Sequence, residues 1–390
     1  MVAAFVEAGL LSAPGCAAAR ALPKLRQVAA RSLRPALASQ RRRCLASRAP
    51  GLRVLCSGGE ASSLNILLTG GSRGIGFEAA AKFLEQGHTL LIPCRSAERC
   101  AETERNLRSR VPNTGSIKTL TCDLASLQQV KDFCAAAKQE MPVIDRLILN
   151  AALQFTGAKE IVRSGDGLEM SFAITHLAHF LMAQELLENM SPTGSIVVTA
   201  SEVHDPESPG GKQGSDAKAG SLEGLERVLA AKERAEPIPD VLIDGSPFEG
   251  DKAYKDSKLC NILFVKEMQR RLTEQGSNVE IKCWGPGLVP STGLFRSGNP
   301  VFVGVFTFIA DLVGVSLSAE EAGQILVDVA ISPEYSDGKG AYFSNEIVGY
   351  KQKKVVRSQG SKESNSPELQ LKLWDLSEKL ISASIQPHTA

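Results

Sequence analysis

Tyr254 and Lys258 stand four residues apart in the stretch Ala253-Tyr254-Lys255-Asp256-Ser257-Lys258-Leu259-Cys260-Asn261. On a helix that spacing is one turn and one face. An ammonium beside a phenol favours the phenolate, so the lysine is expected to lower the tyrosine pKa from about 10. The tyrosine then becomes a usable proton donor or acceptor. Alone the pair is weak, since an exposed aromatic beside a solvated charge gives the same pattern. A second motif, Thr69-Gly70-Gly71-Ser72-Arg73-Gly74-Ile75-Gly76, adds to it. It follows the apolar run 65–68 and precedes a helical pattern over 77–84 that ends at Gly87. Glycines between strand and helix allow a tight turn, let the backbone approach a pyrophosphate, and aim the helix N-terminus at its charge. Gly70, Ser72, Arg73, Gly74, Ile75 and Gly76 are therefore candidate cofactor contacts. The next strand, 88–93, ends in Cys94-Arg95-Ser96, where dinucleotide folds meet the adenine ribose. An acid there suits a 2′-hydroxyl and an arginine a 2′-phosphate. Arg95, helped by Arg73, favours NADPH over NADH; two solvated surface arginines are the alternative.

The elements that must position these residues alternate as a doubly wound parallel sheet requires. Strand patterns cover 116–123, 144–150 and 195–201, and helical patterns cover 127–139 and 168–190. Asp123 and Leu124, which close one strand, are candidate cofactor contacts, and Asn150-Ala151-Ala152 close the next with small residues that admit a cofactor to the backbone. Ser201 ends the 195–201 strand, where open α/β sheets bind ligands; a helix cap or turn is its other reading. The expected fold is a single Rossmann-type doubly wound parallel sheet with helices on both faces.

Thr69 to Gly76, Asn150-Ala151-Ala152, Ser201 and Tyr254 with Lys258 occur in the order of the short-chain dehydrogenase/reductase family, which the chain resembles over about 64–345. The resemblance implies Tyr254 as proton donor or acceptor. It gives Lys258 the nicotinamide ribose and the tuning of Tyr254, and Ser201 the orientation of substrate. Relatives in general place the serine about a dozen residues before the tyrosine, whereas here a Gly/Lys/Pro/Ser-rich insertion (204–250) with a helical piece at 222–234 intervenes. An insertion so placed reads as a loop or lid over the site. With Asp244-Gly245, Phe248-Glu249-Gly250, Thr292-Gly293-Leu294-Phe295-Arg296, Ser318-Ala319-Glu320-Glu321-Ala322-Gly323 and Leu373-Trp374-Asp375-Leu376-Ser377-Glu378-Lys379-Leu380, the tyrosine segment resembles the light-dependent protochlorophyllide reductases. That subfamily reduces the C17=C18 bond of the protochlorophyllide D ring with NADPH in the light. The resemblance also assigns cofactor contacts to Pro286, Gly287 and Thr292, and pigment contacts to Thr175, Gln154, Leu288 and Phe295.

Three residues near that pocket depart from the subfamily. Leu288 stands where a cysteine is usual and can neither donate a proton nor form a thiolate. Thr175 replaces the asparagine of the long helix, and Leu153-Gln154-Phe155 stand where a tyrosine is usual. These departures keep two alternatives open: a dark NADPH-dependent reductase of another hydrophobic carbonyl or alkene, and a non-catalytic NADPH-binding sensor or scaffold.

Residues 1–60 hold ten of the 44 basic residues, from Arg20 to Arg53, with Glu7 the one acid before Glu60. Arg-rich, Ala/Ser-rich and acid-poor describes an organelle transit peptide, plastid or mitochondrial by composition, and the resemblance favours the plastid. The reductase domain is then 61–385, and without the leader the chain is acidic, which argues against nucleic acid as a partner. The cysteines show neither CxxC nor Cys/His metal spacing, so no metal is expected. Cys260 and the histidines, His176 and His179 among them, read as core or pocket-lining residues. No run spans a membrane. The apolar stretch 300–313, within a lid segment 292–316, reads either as a buried helix or as a pocket wall that touches a plastid membrane surface. A porphyrin-type substrate and a homo-oligomer with pigment complete what the resemblance implies.

Overall fold

Near-continuous apolar runs are the mark of strands buried on both faces, and the strands at the centre of this chain are of that kind. In the computed structural model, which describes residues 63–290, 316–349 and 352–385, they form one eight-stranded sheet of order β3-β2-β1-β4-β5-β6-β7-β8. These are β1 (Asn65–Leu68), β2 (Thr89–Cys94), β3 (Ser116–Thr121), β4 (Ile144–Leu149), β5 (Met190–Thr199), β6 (Glu280–Gly285), β7 (Tyr342–Gly349) and β8 (Gln352–Ser358). All pairings are parallel except β7 with β8. The leader, Thr292, Phe295 and the 300–313 stretch lie outside the described residues.

Side chains alternate between the two faces, as the pleat requires. Leu67, Leu147, Leu149, Ile196, Val198 and Cys283 join one core. Ile66, Leu68, Ile148, Val197 and Trp284 join the other. Helices α1 (Gly74–Glu85), α2 (Ala97–Arg110) and α7 (Ala319–Ile331) cover the second face. Helices α3 (Leu127–Glu140), α4 (Ala178–Leu186), α6 (Gly250–Glu274) and α8 (Pro367–Ser382) cover the first. Helix α5 (Glu223–Glu233) lies within the insertion.

Two differences from the sequence expectation have local causes. The 168–190 helix is not continuous: a short turn, Met170–Phe172, passes into a π-helical turn, Ala173–Leu177, before α4. Such turns cluster at functional sites. Met190, at the end of the helical pattern, instead begins β5. Strand β8 was not legible because its Gln-Lys-Lys-Val-Val-Arg-Ser sequence carries the charge of an edge strand, not an apolar run. Among the described residues no helix is long and apolar enough to cross a membrane.

Candidate active site

The glycine turn is built on close approach. A Cβ on Gly76 would lie 2.3 Å from the Gly70 carbonyl oxygen and 2.8 Å from Asn150 Nδ2. Gly70 itself has φ +72°, and a Cβ there would crowd Ala151 at 3.0 Å. No larger residue fits at either position. Arg73 is the extended N-cap of α1, whose first turn contains no acid, and Arg73 and Arg95 are both exposed at the carboxyl ends of the neighbouring strands β1 and β2. Asp123 caps the turn after β3 by accepting from Ala125 N at 3.0 Å, while Leu124 packs against the core.

Behind the turn lies a buried polar network that the sequence reading missed. Thr69 Oγ1 accepts from Asn150 N at 2.8 Å and Ala151 N at 3.0 Å, and it lies 2.9 Å from His179 Nε2. His179 Nδ1 lies 3.1 Å from the Thr175 carbonyl, which can only accept, so the ring proton sits on Nδ1. Burial pushes the His179 pKa down to about 3, so the ring is neutral and Nε2 accepts the Thr69 hydroxyl proton. Asn150 Oδ1 accepts from Thr199 Oγ1 at 3.1 Å, and Trp284 Nε1 donates to the same hydroxyl at 3.1 Å. Lys258 Nζ (2.8 Å) and Asn261 Nδ2 (3.3 Å) both donate to the Thr199 carbonyl. The glycine turn and the catalytic helix α6 are thus joined through the end of β5. Asn261 could have been found from its place three residues after Lys258; nothing local marked Thr69 or Trp284.

Tyr254, Lys258 and Ser201 come together at this point. The Lys258 ammonium lies 5.4 Å from the Tyr254 ring centre, and Ser201 interacts with the phenol. Both members of the pair are buried, and this corrects the expected pKa. Burial raises the phenol well above its usual range, with Ser201 offsetting part of it. Burial also pushes Lys258 down to about 7. Desolvation disfavours both charged forms and outweighs their attraction at this distance. Ser201 has extended backbone and caps the short turn Glu202–His204. His204 Nδ1 donates to the Ser201 carbonyl at 2.6 Å while its Nε2 accepts from Ser361 N at 3.1 Å, which fixes the serine backbone.

The expected pigment contacts divide. Gln154 is taken up by the frame: its Nε2 donates to Asp251 Oδ1 at 2.9 Å, and Gly157 N donates to Asp251 Oδ2 at 2.9 Å, tying this segment to the first turn of α6. Thr175 is wholly buried in the π turn, and its hydroxyl has no hydrogen-bond partner among the described residues. Leu288 is half-buried and bridges to Ser316. Before it, Gly287 adopts φ +79° and Pro286 O accepts from Asn345 Nδ2 at 3.2 Å.

The 204–250 insertion is docked on α6. Lys255, next to Tyr254, is buried and donates to the carbonyls of Gly211, Gln213 and Ser215 at 2.7, 2.6 and 2.9 Å. Lys252 pairs with Asp244 of the insertion at 3.1 Å and with Asp256 of its own helix at 2.7 Å. Asp256 Oδ1 also accepts from Lys218 N at 2.9 Å. Cys260 is buried in the core beneath, with its thiol pKa well above the usual value. Among the described residues no His, Cys, Asp and Glu converge as metal ligands.

The short chain dehydrogenase family model matches residues 64–238. Protochlorophyllide reductase B, chloroplastic, of Hordeum vulgare is 35% identical over 80% of this chain and 76% of its own length. Protochlorophyllide reductase of Avena sativa is 32% identical over 80% of this chain and 97% of its own length. Among solved structures, the Pseudomonas aeruginosa RhlG/NADP active-site complex superposes with a TM-score of 0.53 at 20% identity, covering 73% of this chain and 95% of that one. The chain belongs to the short-chain dehydrogenase/reductase family and, within it, to the protochlorophyllide reductases.

Proposed function

We propose that the protein is a plastid NADPH-dependent oxidoreductase that reduces protochlorophyllide to chlorophyllide in the light, a step of chlorophyll biosynthesis. The observation that carries this reading is the convergence of Tyr254, Lys258 and Ser201 in a chain that covers three quarters of a chloroplastic protochlorophyllide reductase.

The residues present fit a dinucleotide. A Cβ on Gly76 would strike the Gly70 carbonyl and one on Gly70 would crowd Ala151, so the glycines allow the tight strand-to-helix turn that aims the N-terminus of α1 at a pyrophosphate. Gly70, Ser72, Gly74, Ile75 and Gly76 would hold the phosphates, and Arg73 and Arg95 the 2′-phosphate. Asp123, Leu124, Asn150 and Ala151 would hold the adenosine and central portion, Lys258 the nicotinamide ribose, and Pro286 and Gly287 the nicotinamide. When bound, NADPH supplies the hydride to one carbon of C17=C18.

Tyr254 supplies the proton to the other carbon from its hydroxyl. Reduction consumes a proton, so the resting phenol must be protonated, and burial keeps it so. As the proton leaves, negative charge develops on the phenol oxygen beside Lys258. A charged lysine then gains what burial withheld, and the attraction lowers the barrier to transfer. The lysine thus acts on the developing phenolate and not on the resting pKa. Ser201 orients the pigment and steadies the phenol, with Leu288 packing against the macrocycle. Purified protein mixed with NADPH and protochlorophyllide should grow a chlorophyllide absorbance band only under illumination. Bound pigment without turnover would overturn the reading, and turnover of an aldehyde in the dark would replace it with the dark reductase.

A further inference from the structure

Beside Ser201, the carboxyl ends of β5 and β6 and the first residue of β7 bring together polar groups that this reaction leaves unused. Tyr342, on β7, is 2% exposed, and its hydroxyl makes no hydrogen bond of good geometry among the described residues, with the Ser344 hydroxyl its near neighbour. A buried hydroxyl left without a partner is destabilising, and such groups are rare. The ring is not free to turn away. His204 meets it edge-on at 5.0 Å between centroids, and His204 is itself held at both nitrogens by Ser201 O and Ser361 N.

The strand between them makes room for the phenol. A Cβ on Gly285 would lie 2.5 Å from the Tyr342 hydroxyl and 3.4 Å from Glu202 N. The missing side chain therefore lets the hydroxyl cross β6 toward the turn that begins at Glu202. The Glu202 carboxyl accepts no hydrogen bond and pairs with no cation among the described residues, and burial pushes its pKa up. The insertion closes over it: a Cβ on Gly210 would lie 3.0 Å from Glu202 Oε1.

The phenol presents an O–H donor, burial favours the neutral, donor form of the Glu202 carboxyl, and no positive charge pairs with it among the described residues. The two groups suit a neutral acceptor such as a ketone, and they disfavour a carboxylate or phosphate, which would need a cation to offset its desolvation. In protochlorophyllide the five-membered ring fused beside ring D carries a ketone. Adjacent strands lie about 4.8 Å apart, so a pigment with ring D at Ser201 and Tyr254 extends its neighbouring edge over β6 toward β7. We propose that Tyr342 and Glu202 form a substrate subsite that hydrogen-bonds this ring ketone and so sets which edge of the macrocycle faces Tyr254. The inference rests on the protochlorophyllide reading above.

The test is the ketone C=O stretch of the pigment, measured by resonance Raman on the full chain with NADPH and protochlorophyllide held in the dark. The wild-type band should lie below that of the pigment in an aprotic solvent. Tyr342→Phe and Glu202→Leu should each move it back up and weaken pigment binding about 5-fold, the worth of one neutral hydrogen bond. Glu202→Gln keeps a donor and should retain part of the downshift, an outcome that a purely structural role would not produce. NADPH affinity serves as the folding control. If Tyr342→Phe loses it, the two Glu202 variants decide. Pigment bound by the wild type with an unshifted band, or a band that none of these variants moves, overturns the subsite alone. A wild-type chain that binds no pigment overturns the substrate reading and the subsite with it.

Discussion

Replacing Thr69 with valine changes one atom's chemistry and almost none of its volume, and its consequence can be worked from the geometry. The Thr69 hydroxyl accepts from Asn150 N and Ala151 N and donates to His179 Nε2, which uses all its hydrogen-bonding capacity. Thr69 is fully buried, so no water can replace it without displacement of the strand ends. Valine leaves the buried His179 Nε2 and the part-buried N–H groups of Asn150 and Ala151 unpaired, each costing about 1–3 kcal/mol when fully buried. The sum is about 3–9 kcal/mol for full burial and about 3–6 kcal/mol once the two part-buried groups are discounted, a large part of a typical domain's stability. Thr69→Ser keeps all three bonds and should cost only about 1 kcal/mol for the missing methyl. Urea unfolding of the three proteins measures this directly. NADPH titration should show that Thr69→Val also weakens cofactor binding, because the loosened Asn150-Ala151 backbone faces the glycine turn. A Thr69→Val protein within 1 kcal/mol of wild type, or a Thr69→Ser protein as unstable as it, would refute the network.

Other consequences follow from the same contacts. Burial holds the His176 pKa near 3, against 6.5 when unfolded. Between pH 6.5 and 5 only the unfolded chain gains that proton, so folding loses about 1.4 kcal/mol per pH unit there. His176→Gln should therefore lose about 2 kcal/mol less than wild type between pH 7 and pH 5, and parallel stability curves would contradict this. Lys255→Met leaves three carbonyls of the insertion without their donor. Amide exchange should quicken at least tenfold around 205–220 and not in β1, β4 or β5, and unchanged protection would show that the insertion is held otherwise. Arg95→Ala should raise the NADPH dissociation constant about tenfold or more, the scale of a lost charge-assisted bond, while leaving NADH binding within about twofold. Equal effects on both cofactors would remove Arg95 from the 2′-phosphate.

The sequence disclosed those parts of the site that are local. Strand, glycine turn and helix are contiguous, so their residues could be read directly, and Tyr254 and Lys258 share a face because helical spacing requires it. The sign expected for the tyrosine is reversed because spacing encodes the charge of Lys258 on the same face but not the burial of both groups. Gln154 looked like a pocket residue by its place after Asn150-Ala151-Ala152, yet its amide meets Asp251, 97 positions further on. The Thr69–His179 pair spans 110 positions and Trp284–Thr199 spans 85. Contacts of that range depend on the order in which strands assemble, and no local pattern encodes them. The edge strand β8 was hidden for a different reason, since its charge protects an open sheet edge and erases the apolar signal.

The most direct test of the central claim is a single-turnover experiment on Tyr254→Phe. Enzyme, NADPH and protochlorophyllide are mixed in the dark, and chlorophyllide absorbance is followed after a light pulse. Removing the hydroxyl leaves the glycine turn, Lys258 and the ring packing in place, so NADPH and pigment should bind within about twofold of wild type. General acid catalysis is worth about 10²–10⁴ in rate, so chlorophyllide formation should fall by at least about a hundredfold. Chlorophyllide formed by Tyr254→Phe at the wild-type rate would contradict the account.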